Sequence, residues 1–168
     1  IQDKDWPIIE TWGQSREGPW GSYQGFQLDH LPLLQRAYQQ TGLLSRESGL
    51  LLVETLADRQ VAGFVRYTLI PHPDADAPCP EIGFGIPLAS AQGKGFAKEA
   101  VRLLVNYLFA GYPVKRIVAF TDIDNIPAQR VMDGVGFQRE GILRRAMFRD
   151  GGWRDIAIYA VLREEEGT

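Results

Sequence analysis

Sulfur, histidine and long apolar stretches are all scarce in this chain. A single cysteine, Cys79, among 168 residues excludes an intramolecular disulfide and fits a reducing, cytoplasmic setting. Set between two prolines, it reads as an incidental thiol. His30 and His72 stand far apart with no carboxylate pattern around either, so no metal is expected. No Ser-His-Asp or Cys-His arrangement stands out either. The longest apolar runs fall far short of a bilayer, and no secretory signal pattern opens the chain, so no membrane partner is expected. Neither sign of charge dominates. The net charge is −3, and the Lys and Arg residues are scattered, which argues against a nucleic-acid partner that would need a concentrated basic face.

What is present is an ordinary globular composition, 45% hydrophobic and 23% charged, at a length that fits one domain over residues 1–168. The pattern predicts a helix from Asp5 to about Arg16, and a second one capped by Asp29 that runs to about Gln40 and ends at Gly42. Strands follow at Leu50 to Leu56 and Val61 to Ile70, turning at Asp58-Arg59. Pro71 to Pro80, rich in proline, is expected to be an exposed loop. Next come a strand at Glu81 to Ile86, a helix from Gly95 to about Phe109 stopped by Gly111, and a strand at Lys115 to Thr121. A short helix at Pro127 to Asp133 precedes a hairpin of Phe137 to Phe148 and Trp153 to Leu162, turning at Asp150-Gly151-Gly152. This order predicts an α/β (α+β) fold on one mixed, mostly antiparallel sheet flanked by helices.

The densest information lies between Glu81 and Ala100, where a strand gives way to a loop of small residues and then to the first turn of an amphipathic helix. Gly93 and Gly95 allow a tight bend and leave the backbone N–H groups uncovered. With the free donors of the helix start, those groups make a seat for an anion, most naturally a phosphate. A nucleotide P-loop is excluded, because Leu88 replaces its first glycine and Gly95 its metal-binding hydroxyl. A dinucleotide fingerprint fails at Lys98, where a small residue is required. The pattern Gln/Arg-x-x-Gly-x-Gly/Ala is filled by Gln92, Gly93, Lys94, Gly95, Phe96 and Ala97.

That loop resembles the pyrophosphate loop of the GNAT superfamily of N-acetyltransferases, which bind acetyl-coenzyme A (acetyl-CoA). The likeness continues through Asn125-Ile-Pro-Ala128, Val131, Met132, Gly136-Phe137 and Glu140-Gly141-Ile-Leu-Arg144, and covers Val53 to Glu164. The last piece, with Asp155 and Tyr159, is most similar to the RimJ/RimL-like acetyltransferases of ribosomal-protein N-termini. The resemblance implies acetyl-CoA as co-substrate, strands splayed at the coenzyme site, and a first strand trimmed from before residue 1. It further implies a monomer or homodimer acting on a protein N-terminus or a small-molecule amine.

Residue by residue, the loop from Gln92 to Ala97 would hold the pyrophosphate. Phe84, Gly85 and Ile86 would offer backbone groups to pantetheine, with Gly83, Gly85 and Pro87 suited to breaking the strand pair. Asn125 would bind the amide-rich arm or cap the helix at Pro127. Lys94 and Arg130 lie where coenzyme phosphates could be paired. Acyl transfer also needs a base for the ammonium, and Glu81 matches the strand position that serves some family members. A general acid is harder to find, since Met132 and Ala128 stand where a tyrosine or serine is usual. Either Tyr159 or another hydroxyl substitutes, or the thiolate leaves without a dedicated acid, which its low pKa makes feasible. Trp20 and Tyr23, in a glycine-rich loop, are candidates for the acceptor site, whereas Trp6 and Trp12 read as packing residues. The reading is an acetyl-CoA-dependent N-acetyltransferase acting on a protein or peptide α-amine. Its alternatives are acetylation of a polyamine or antibiotic, and a non-catalytic acyl-CoA-binding domain.

Overall fold

The computed structural model describes residues 1–14, 31–70 and 79–163. A 3-10 turn at Asp3–Asp5 leads into α1 (Trp6–Gln14), and α2 (Leu31–Thr41) follows. The sheet is built from β1 (Ser48–Glu54), β2 (Val61–Ile70), β3 (Cys79–Gly85), β4 (Arg116–Asp122), β5 (Gln138–Arg149) and β6 (Gly152–Leu162). Helices α3 (Phe96–Gly111) and α4 (Ile126–Val135) complete the chain. The spatial order is β1-β2-β3-β4-β6-β5. Every neighbouring pair is antiparallel except β3–β4, which is parallel and joined only at Glu81↔Val118 and Ile82↔Ala119.

Alternation along the strands sorts side chains to two faces. Val65, Tyr67, Ile82 and Ala119 turn one way and pack with Val101, Leu104 and Leu108 of α3 and Met132 of α4. Leu108, Ile117 and Val101 are fully buried there, and each such side chain contributes about 1.5–3 kcal/mol of transfer free energy. The opposite face meets the N-terminal helices, where the Trp12 ring lies 5.9 Å from that of Phe64. Trp6 stacks on Tyr38 at 5.3 Å, tying α1 to α2. Among the described residues no helix is long and apolar enough to cross a membrane.

Two local expectations are corrected. Cys79 and Pro80, expected in an exposed loop, are the buried opening of β3. Proline is tolerated because the ladder to β4 begins only at Glu81, so its missing N–H breaks no bond on that side. The remainder of that loop, and Asp29, lie outside the described residues. Gly111 does not stop α3 but is its last residue. The helix ends because Tyr112 turns extended (φ −128°, ψ 140°) ahead of Pro113, and a residue before proline is driven out of the helical region.

Candidate active site

The site begins with the parting of β3 and β4. Beyond Ile82, β3 keeps its partner β2 as far as Gly85 but has none in β4, so one backbone edge of Phe84–Ile86 faces a gap. The chain then leaves the sheet through a 3-10 turn at Ala89–Ala91 and enters α3. Gln92 donates from Nε2 to the Ile86 carbonyl at 2.9 Å, which folds the loop back onto the strand end.

Two glycines set the loop's shape. Gly93 has φ +71°, and Gly95, the residue before α3, has φ +86° and ψ −5°, both in the left-handed region. A Cβ added at either would meet nothing within 4 Å, so the space in front of both is open. Among the described residues, no side chain caps the first-turn N–H groups of the sixteen-residue helix α3. The arrangement fits a bound phosphate: the helix start is uncapped, its dipole favours negative charge, and the space at Gly93 and Gly95 is open.

Across the gap, Asn125 caps α4 through Oδ1, which accepts from the Ala128 N–H at 3.3 Å. Its Nδ2 has no partner among the described residues. The cap and the ligand role are therefore compatible, because they use different atoms of one amide. A cleft of about 1110 Å³ runs along the parting. Its wall brings together Glu81, Phe84, Gly85, Ile86, Gln92, Gly93, Gly95, Phe96, Ala97, Asn125 and Arg130, eleven of the residues singled out from the sequence.

Two of the singled-out residues do not line the cleft. Lys94 is exposed and lies close enough to Asp58 to help hold that carboxyl below its usual range, behind the Thr55 hydrogen bond and the Gln60 N–H. Tyr159 is 3% exposed, in the core between sheet and helices, and its hydroxyl donates to Gln129 Oε1 at 3.2 Å. Burial raises its pKa, and Tyr159 is not among the residues that line the cleft. Trp20 and Tyr23 lie outside the described residues.

Several groups at the cleft escaped the sequence reading. Arg66 on β2 sits 3.7 Å from Glu81, with both side chains part-exposed on the wall. The one signal for it was a lone charge inside an otherwise uncharged ten-residue strand. Lys98, in the first turn of α3, lines the same wall and packs against Gly134 of α4. Asp122 closes the end of β4. Its Oδ2 lies 2.6 Å from Arg149 Nη1 and its Oδ1 accepts the Asp124 N–H at 2.8 Å, both side chains being buried. That ion pair ties the last hairpin to the floor of the cleft, and residues so far apart in sequence give no local sign of it.

Comparison with known proteins places the chain among acetyltransferases. An uncharacterized N-acetyltransferase, YnaD of Bacillus subtilis (strain 168), is 38% identical over 74 residues, which is 44% of each chain. The matched stretch thus spans under half of that relative's length. The ribosomal-protein-serine acetyltransferase of Escherichia coli (strain K12) is 26% identical over 159 residues, 95% of this chain and 76% of its own. The fold is that of spermidine N-acetyltransferase from Vibrio cholerae, crystallised with CoA and spermine. The TM-score is 0.78 at 21% identity, over 96% of this chain and 92% of that one. The family model for the acetyltransferase (GNAT) domain matches residues 5–138, and the chain belongs to that family.

Proposed function

We propose that this protein is an acetyl-CoA-dependent N-acetyltransferase whose acceptor is the α-amine of a protein or peptide N-terminus. The observation that carries the reading is the parting of β3 and β4 onto an uncapped helix N-terminus, with Gly93 and Gly95 holding the seat open. Acetyl-CoA supplies an activated acyl group as a thioester. In this reading the N–H groups at Gly95–Ala97 and the loop from Gln92 hold its pyrophosphate, while Phe84–Ile86 and the free Nδ2 of Asn125 hold the pantetheine arm. Lys98 and Arg130, on facing helices, add positive charge at the phosphate end, and Lys94 stands outside the cleft.

Glu81 accepts the proton of the acceptor ammonium, directly or through a water. The freed lone pair forms the N–C bond to the thioester carbonyl, the nitrogen releases its second proton to solvent as the C–S bond breaks, and the thiolate takes a proton from solvent. No dedicated acid is required, because a thiol of pKa near 8–9 is a competent leaving group as its anion (about 8.5 for a free thiol). The α-amine is favoured over a polyamine by the charges on the wall. Among the described residues these are Arg66, Lys98 and Arg130 against Glu81 and Asp122. Both carboxylates already face an arginine, leaving no acidic run to match a polycation. The long match to a ribosomal-protein-serine acetyltransferase points the same way.

The test is free-thiol release from acetyl-CoA with separate pools of peptides bearing free N-termini, polyamines and aminoglycosides. Release with peptides above the other pools is expected. Release with polyamines or aminoglycosides alone would reverse the choice of acceptor, and coenzyme binding without release in any pool would mean a binding domain.

A further inference from the structure

The pairing of β2 with β3 sets Arg66 opposite Gly83 and Thr68 opposite Glu81, so Arg66 and Glu81 are diagonal neighbours on one face of the sheet. Gly83 lies beneath the arginine. A Cβ built there would meet Arg66 Nε at 2.8 Å and Cζ at 3.2 Å, so any larger residue would push the guanidinium aside from its present path across the strand toward Glu81. The nearest approach of the two charges, Arg66 Nη2 to Glu81 Oε1, is 3.7 Å. That is close enough for attraction and too long for a hydrogen bond. Both side chains line the cleft and are partly exposed, 37% for the arginine and 27% for the glutamate. On the same face of the sheet they are flanked by Leu50, opposite Arg66, and by Thr68, opposite Glu81, both of which also line the cleft.

We propose that Arg66 and Glu81 together form a recognition site for an α-amino-acyl head group, Glu81 taking the ammonium and Arg66 the neighbouring carbonyl oxygen. This rests on the transferase reading and narrows its acceptor class. A loosely spaced cation and anion side by side are complementary to a group that carries a cationic nitrogen three bonds from an acceptor oxygen. The guanidinium is suited to the second half of that task, since it is a planar donor fork that cannot accept. A simple alkylamine or a polyamine satisfies only Glu81, and a site built for a polar group discriminates against analogues that lack it. Arg66 is thus a specificity residue of the acceptor, and Gly83 positions it.

The test compares alanylleucinamide with butylamine as acceptors and reads the ratio of their kcat/KM values. In Arg66→Gln the ratio should fall about tenfold to a hundredfold, the value of one hydrogen bond to a charged group. Gly83→Ala keeps the arginine but displaces it, and should move the ratio in the same direction by a smaller factor. It also carries the test if Arg66→Gln does not fold. An unchanged ratio in the folded variants overturns the proposal. If the wild-type protein acetylates neither amine, the transferase reading has failed and equilibrium titration decides the site separately. Tighter binding of alanylleucinamide than of butylamine, lost in Arg66→Gln, supports it, and equal binding overturns it. Free alanine in the same panel distinguishes an amino acid from a chain terminus as the source of the head group.

Discussion

Gly95→Ala separates the backbone's role in folding from its role in binding. Gly95 holds φ +86° and ψ −5°. An L-residue in the left-handed region costs about 1–2 kcal/mol. Nothing lies within 4 Å of the added Cβ, so no packing cost accompanies the strain. For a chain of this size each kcal/mol lowers the melting temperature by about 2–4 °C, which gives a drop of about 2–8 °C and a protein that still folds. Binding should suffer more. A methyl group at the residue that opens α3, and the backbone shift its strain favours, should crowd a phosphate seated on the helix start. Loss of one charge-assisted hydrogen bond, about 1.5–3 kcal/mol, weakens CoA about tenfold to a hundredfold. Gly136→Ala is the matched control, because Gly136 has φ +108° and ψ 8°, also meets nothing within 4 Å, and does not line the cleft. Calorimetric titration of CoA and thermal melts of both variants provide the comparison. Equal CoA affinity in Gly95→Ala and Gly136→Ala would refute the phosphate seat, whatever their melting temperatures.

Three further outcomes are expected. Glu81→Gln should lower turnover about a hundredfold near neutral pH, within the range for a general base, with the deficit narrowing as pH nears the acceptor amine's pKa; a deficit independent of pH would remove Glu81 as base. Arg149→Met leaves Asp122 buried without its cation and should destabilise by about 3–5 kcal/mol in urea unfolding, whereas Asp122→Leu with Arg149→Met should recover most of that loss. A double variant no more stable than the single one would mean that the pair is not what the hairpin relies on. Burial raises the pKa of Cys79 above its ordinary 9.0 and, together with the Tyr112 hydroxyl, that of Tyr67 above 10.0. The folded chain therefore holds these protons after the unfolded chain has released them, so stability is full below pH 9 and declines above it. Tyr67→Phe should make the fall in melting temperature above pH 10 shallower, and an unaltered slope would mean that other groups carry it.

Local chemistry made the strands, helices and the glycine loop before α3 legible, because each is written in contiguous residues. Val61–Ile70 coincides with β2, and the turn at Asp150-Gly151 is where the last hairpin reverses, with φ +50° and +73°. The errors fall where a neighbour in sequence is outweighed by a neighbour in space. Tyr159 carries the right functional group, but β6 lies between β4 and β5 and its pleat turns that hydroxyl into the core toward Gln129. Lys94 belongs to the loop pattern, yet its exposed side chain lies near Asp58 rather than on the cleft wall. Cys79-Pro80 looks like loop because of its prolines, and becomes strand because β2 pairs with it at Leu69 and Ile70.

By itself the sequence determined the class of fold, the order of its elements and the shape of the glycine loop ahead of α3. These depend on backbone preferences and periodicities that act over a few residues: glycine's access to positive φ, proline's fixed φ, the alternation of a strand. The tertiary structure alone decided which charges meet. Arg66 reaches Glu81 because an antiparallel register sets them diagonally across Gly83, and Arg149 reaches Asp122 because a hairpin returns to the end of β4. Such pairs depend on strand register and close packing between segments distant in sequence, and neither is encoded in any short stretch of the chain.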